Sequence, residues 1–188
     1  MKILIINNET KHLGELQELL KKHEVSVVEF SALQNTDPDY FNAIVLSGGS
    51  MFPVLGNEEK LLRETNLVLN TPKPIFGICF GFELIAHLFG AELEAMSAKE
   101  NGILEINVTE PSDLFLDIKN FQVYEAHRFV VKELPNSLVS LAESKDGIEA
   151  FRHKEKEIYA VQFHPEMFPD KTAGKDIFEN FLKLVEEK

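Results

Sequence analysis

The hydrophobic pattern over the first ninety or so residues alternates between two periods. Lys2 to Ile6 is a short apolar run, His12 to His23 carries apolar residues at helical spacing, and Val25 to Phe30 returns to a β-rich run. Ala43 to Leu46 is a third apolar run, closed by the turn-forming Ser47-Gly48-Gly49-Ser50. The spacing then predicts a helix over Glu58 to Leu69, which Pro72 and Pro74 terminate. Pro74 to Ile78 reads as a fourth buried strand, and Phe80 to Phe89 as a helix closed by Gly90. This βαβ rhythm is the pattern of a parallel sheet covered by helices.

Beyond Gly90 the segments shorten and alternate. Ile103 to Val108, Gln122 to Tyr124, Phe129 to Val131, Leu138 to Leu141 and Ile148 to Phe151 predict antiparallel hairpins, and Ile158 to Phe163 predicts a last core strand. A final helix from Lys171 to Glu187 places Ile177, Phe178, Phe181, Leu182 and Val185 on one face. The expected architecture is one α/β domain over residues 1–188, a mostly parallel open sheet with helices on both faces and a small antiparallel extension.

Composition changes this picture only by exclusion. A hydrophobic fraction of 44% with 15 Phe supports a packed core. The net charge of −12, from 19 basic against 31 acidic residues, argues against nucleic-acid and anionic-membrane partners. No apolar run approaches the roughly 20 residues of a spanning helix. The opening MKILIINNET reads as a buried strand, and a cytoplasmic enzyme is expected.

A single cysteine excludes an internal disulfide and a Cys-rich zinc site. Cys79 stands in Gly77-Ile78-Cys79-Phe80-Gly81, between a predicted strand and a predicted helix, the order of a nucleophile elbow. At such a turn glycines on either side avoid collisions between the crossing backbones, and the helix start favours thiolate over thiol. The Phe80 amide is one candidate oxyanion donor, and Gly48 or Gly49 offers a second from the end of a neighbouring strand.

Such a thiol needs a general base. Of six histidines, His12 and His23 fall on the first, exposed helix, His87 is carried away from the elbow by its helix, and His153 falls in a charged, solvated loop. His164 follows the last core strand, and Glu166 lies two residues on, on the same side of an extended segment with Pro165 between them. Cys79, His164 and Glu166 therefore make a candidate triad. His164 and Glu166 alone do not complete a metal site, and none is expected. The sequence contains no P-loop or other nucleotide fingerprint, so no cofactor is expected.

Three motifs in register resemble those of class I glutamine amidotransferases: Leu46-Ser47-Gly48-Gly49, Gly77-Ile78-Cys79-Phe80-Gly81 and Val161-Gln162-Phe163-His164-Pro165-Glu166. The likeness runs end to end, and stand-alone glutaminase subunits of GMP synthases are nearest in length and layout. The resemblance implies a flavodoxin-like core and hydrolysis of the glutamine side-chain amide through a γ-glutamyl thioester, with ammonia passed to a separate synthase subunit. Cys79 would attack, His164 would shuttle the proton, Glu166 would orient it, and the Phe80 and Gly48 or Gly49 amides would hold the oxyanion.

Glu83 stands where these amidotransferases carry Gln, and its Gly-Phe-Glu context looks more like γ-glutamyl hydrolases. Ala126-His127-Arg128-Phe129 stands where the GMP synthase type has Ser-His-x-Asp. Glu83, His127 and Arg128 are the candidate substrate contacts. An independent γ-glutamyl hydrolase and a catalytically silent binding module are the alternative readings.

Overall fold

The computed structural model describes residues 1–116 and 118–187. In chain order the elements are β1 (Lys2–Asn7), α1 (Leu13–Leu19), β2 (Glu24–Glu29), β3 (Ala43–Leu46), α2 (Leu62–Asn70), β4 (Ile75–Ile78) and α3 (Phe80–Leu88). There follow β5 (Glu94–Ala95), β6 (Gly102–Val108), β7 (Asn120–Glu125), β8 (Phe129–Val130), β9 (Leu138–Glu143), β10 (Ile148–His153), β11 (Ile158–Val161) and α4 (Gly174–Glu186). Nine strands form one sheet in the order β2-β1-β3-β4-β11-β10-β9-β6-β7. The first five are mutually parallel, and every pairing from β11 to β7 is antiparallel.

Side-chain alternation along the parallel strands splits the core into two layers. Leu4, Ile6, Ile44, Leu46 and Ile75 pack with Val68 of α2 and with Phe82, Leu84 and Ile85 of α3. Ile3, Ile5, Val45, Phe76 and Ile78 pack on the opposite face with Leu16 of α1 and with Ile177, Phe178 and Phe181 of α4. Phe76 anchors that second layer, its ring 5.0 Å from Phe178 and 4.9 Å from Phe181. The β1, β3 and β4 residues are buried almost without exception because helices cover both faces, which is why their sequence runs are continuous rather than alternating.

Several expectations are corrected. The first helix ends at Leu19 rather than His23; Lys21 and His23 instead close tight turns onto the Glu18 and Leu20 carbonyls. Helix α2 begins at Leu62, because residues 57–61 form turns in which Lys60 and Leu61 donate to Asn57 and Glu58. The last core strand stops at Val161, not Phe163. The antiparallel part supplies four of the nine strands of the sheet, and Phe129–Val130 leaves that sheet altogether to pair with Glu94–Ala95.

Candidate active site

Four carboxyl ends of parallel strands converge. β1 delivers Asn8, β3 delivers Ser47-Gly48-Gly49, β4 delivers Cys79, and β11 delivers Gln162 to His164. This is the edge of an open α/β sheet where loops and helix starts leave polar groups available for chemistry.

Cys79 sits between β4 and α3 with φ +49° and ψ −98°, a conformation costing a side-chain-bearing residue roughly 1–3 kcal/mol. Its amide donates to the Val161 carbonyl at 2.9 Å, and its own carbonyl accepts from the Glu83 amide at 2.9 Å, which starts α3. The turn closes only because two side chains are missing. A Cβ on Gly81 would lie 2.6 Å from the Leu46 carbonyl oxygen, and one on Gly77 would lie 2.9 Å from the Gly81 backbone.

His164 lies beside that thiol. Its Nδ1 is 2.8 Å from Glu166 Oε1, and its ring is coupled by charge to Cys79. All three residues are buried. The carboxylate meets the imidazole through a turn, closed by the Met167 amide donating to the His164 carbonyl at 3.1 Å, and not through the extended segment the i,i+2 spacing suggested. The backbone is held from two sides, by the His164 amide on the Tyr124 carbonyl at 2.9 Å and by the close approach of Gly174 to Pro165.

Burial opposes charge on His164, yet the negative charges of Cys79 and Glu166 carry its pKa up to about 10. Burial pushes the Cys79 thiol up, and His164 draws it back. Ionisation comes from the strong base beside it, which takes the Sγ proton as the sulfur attacks.

The remaining predicted residues other than Gly48 fall on one cleft of about 370 Å³, lined by Gly49, Phe52, Cys79, Phe80, Glu83 and His127, with Lys99 and Arg128 exposed at its mouth. Gly49 lines the cleft, and Gly48 beside it packs against His164. A Cβ on Gly48 would lie 2.9 Å from His164 Cε1, and one on Gly49 would lie 3.2 Å from Phe80 Cγ. Glu83 is buried with Oε1 accepting from Gln162 Nε2 at 3.3 Å, and burial raises its carboxyl pKa to about 7. Gln162 Nε2 is also 3.9 Å from Cys79 Sγ. His127 Nδ1 is hydrogen-bonded with the Phe129 carbonyl at 2.9 Å, and Nε2 lies 3.3 Å from Glu125 Oε2.

Sequence reasoning passed over several neighbours. His12, expected on an exposed face, stands at the N-terminal boundary of α1 and sets its ring 5.3 Å from His164 in an edge contact. His153, expected in solvent, is buried against Phe89 and accepts the Glu155 and Lys156 amides. His87 lies as expected away from the thiol, 3.6 Å from Glu58. Gln162 was legible as part of its motif but carried no assigned task.

Asn8 and Glu64 buttress the glycine loop. The Asn8 amide donates to Ser47 Oγ at 2.9 Å, while Asn8 Nδ2 donates to Glu64 Oε1 at 3.0 Å. Burial raises the Glu64 pKa from 4.5 to about 7, with the Asn8 hydrogen bond opposing. The native state thus keeps a proton that the unfolded chain loses, so this contribution to stability is present at pH 4.5 and lost as pH rises through 7. Glu64→Gln is expected to raise the melting temperature at pH 8, by a stability gain of up to about 3 kcal/mol, and to leave it nearly unchanged at about pH 4.5. Thermal denaturation of both proteins at the two pH values checks this; equal shifts at both would contradict it.

Comparison with known proteins adds an independent finding. Residues 4–185 match the family described as glutamine amidotransferase class-I. The A subunit of the glutamine-hydrolyzing GMP synthase of Methanosphaera stadtmanae is 32% identical, with the alignment covering 99% of each chain. The protein of the same name from Pyrococcus furiosus is 35% identical over 98% of this chain and 99% of its own. A Thermoplasma acidophilum crystal structure, described as the A subunit of a GMP synthase, superposes with a TM-score of 0.86 at 27% identity, over 100% of this chain and 94% of that one. A glutamine amidotransferase from Thermotoga maritima superposes with a TM-score of 0.83 at 16% identity, covering 100% of this chain and 99% of that one, and shows the shared fold.

Proposed function

The chain belongs to the class I glutamine amidotransferase family, and from that premise we propose that it hydrolyses glutamine on Cys79 and hands the ammonia to a separate synthase subunit. The observation that carries this reading is the buried Cys79, His164 and Glu166 set at one strained elbow beside an accessible cleft.

In this mechanism His164 takes the Sγ proton as the sulfur bonds to the amide carbon. The oxyanion is stabilised by the Phe80 amide and by Gly48 or Gly49. The C–N bond then breaks, the leaving nitrogen takes the proton from the imidazolium, and ammonia departs from a γ-glutamyl thioester. Water, deprotonated by His164, cleaves the thioester to glutamate and restores the thiol. Glu166 holds the ring in the orientation both half-reactions need.

Relatives named as the A subunit of a GMP synthase imply a partner that consumes the ammonia. No helix among the described residues is long and apolar enough to cross a membrane. Ammonia release from glutamine, followed with and without a GMP synthase ATP-dependent subunit, tests the assignment: turnover is expected to rise when the subunit is added. Absence of glutamine hydrolysis under both conditions would refute it.

Glu83 favours a second reading, because a carboxyl beside the nucleophile suits γ-glutamyl amides bearing a cationic group. Glu83→Gln keeps the hydrogen bond with Gln162 and removes the charge. For a glutaminase, kcat/KM for glutamine is expected to stay within about tenfold and to lose its step near pH 7. A drop of more than about tenfold confined to cationic γ-glutamyl amides would favour the second reading instead.

A further inference from the structure

Behind the cleft wall lies a second buried polar cluster that the proposed chemistry does not use. Glu125 ends β7, His127 follows two residues later, and Glu149 lies on β10. The segment between β7 and β9 is strapped to β10 by the Ile148 amide, which donates to the Val131 carbonyl at 2.9 Å. That strap brings two carboxylate oxygens and a ring nitrogen within 4.8 Å of one another, all from buried residues.

The donors and acceptors do not balance. Both oxygens of Glu125, a residue with no exposed surface, and Oε2 of Glu149 have no hydrogen-bond partner among the described residues. His127 Nδ1 faces the Phe129 carbonyl, which only accepts, so Nδ1 donates there and Nε2 is the ring atom turned toward Glu125. Two carboxyl groups and a ring nitrogen then converge on one point in the interior. Leaving them ionised and unpaired is costly unless protons or a cation sit between them.

We propose that Glu125, His127 and Glu149 bind a single divalent transition-metal ion of the zinc class. The 3.3 Å between His127 Nε2 and Glu125 Oε2 matches the edge of a tetrahedron whose bonds are about 2.0–2.1 Å. Two carboxylates and one divalent ion sum to zero charge, which suits burial. The imidazole selects a transition metal over magnesium or calcium.

The outer contacts are also those a bound metal uses. His127 Nδ1 donates to a backbone carbonyl, and Ser144 Oγ donates to Glu149 Oε1 at 2.6 Å, fixing both ligands. His127 lines the cleft, so the ion has a route in. No sequence motif announces the set, because its third ligand is supplied by a different strand.

The test uses the full chain, stripped with a chelator and titrated with zinc or cobalt(II), with retained metal counted by elemental mass spectrometry after desalting. One equivalent is expected in the unsubstituted protein and in Cys79→Ala, and its loss is expected in Glu125→Gln and in Glu149→Gln. Should those variants fail to fold, the cobalt spectrum of the unsubstituted protein decides. Nitrogen and oxygen ligation gives visible bands without a thiolate charge-transfer band in the near ultraviolet. No retained metal, which would mean that protons alone balance the cluster, overturns the proposal. So does a thiolate band, or loss of the metal in Cys79→Ala, since either would place the ion on the nucleophile. Stoichiometry is read without turnover, so its outcome is separate from that of the glutaminase assignment.

Discussion

Cys79→Ala is expected to lower glutamine turnover by about 10⁵-fold while changing unfolding free energy by less than about 1 kcal/mol. The two effects separate because the sulfur is the only thiol in the chain and its removal takes away the nucleophile itself. The backbone conformation that costs strain at this position does not depend on Sγ, and the hydrogen bonds that fix it run from the Cys79 amide to Val161 and from the Glu83 amide to Cys79. Ammonia release and thermal denaturation, measured on one preparation, check both halves. Retained turnover in a folded variant would reject the thiol mechanism.

The second large effect is on the scaffold. Gly81→Ala is expected to cost roughly 2–4 kcal/mol of stability, because its new Cβ would meet the Leu46 carbonyl at 2.6 Å and the Leu46 Cβ at 2.8 Å. Neither atom is the end of a flexible side chain, so β3 and α3 must separate. Leu46 leads directly into Ser47 and Gly48, and the separation therefore also displaces the loop that faces His164. Activity is expected to fall with stability. Gly14→Ala is the control: nothing lies within 4 Å of its added Cβ, and on α1 it is expected to stabilise by about 0.5 kcal/mol. Urea denaturation of the two variants measures the contrast; equal effects would show that close backbone approach is not what requires glycine at the elbow.

The parallel half of the fold was legible because its cause is local. Strands buried on both faces leave continuous apolar runs, and helices between them leave the 3.6-residue period. The elbow was equally legible, since Gly77 and Gly81 flank Cys79 within five residues, although the Leu46 backbone that requires glycine at 81 comes from β3. His164, Pro165 and Glu166 could be read as a unit because they are adjacent in sequence, although the spacing alone does not reveal the turn that joins the pair.

What escaped depends on contacts between distant segments. β5 is two residues long and pairs with β8, so it has no periodic signal of its own; the strand at Phe129–Val130 was legible, but not its departure from the main sheet to pair with Glu94–Ala95. The first helix looked longer than it is, because Leu20 is buried and continues the apolar spacing past the point where the helix ends. His12 meets His164, and Glu149 meets Glu125, only after the sheet has brought separate segments together. Exposure of His153 is misleading in the sequence for the same reason: its Lys and Glu neighbours suggest solvent, whereas its partner Phe89 comes from the end of α3.

The most direct test is to trap the covalent intermediate. Protein mixed with carbon-labelled glutamine is quenched in acid during turnover, digested and mapped by mass spectrometry. A labelled γ-glutamyl group released by hydroxylamine and located on the peptide containing Cys79 is the predicted result. Continued ammonia release with no label on that peptide, or label on another residue, would contradict a thioester on Cys79.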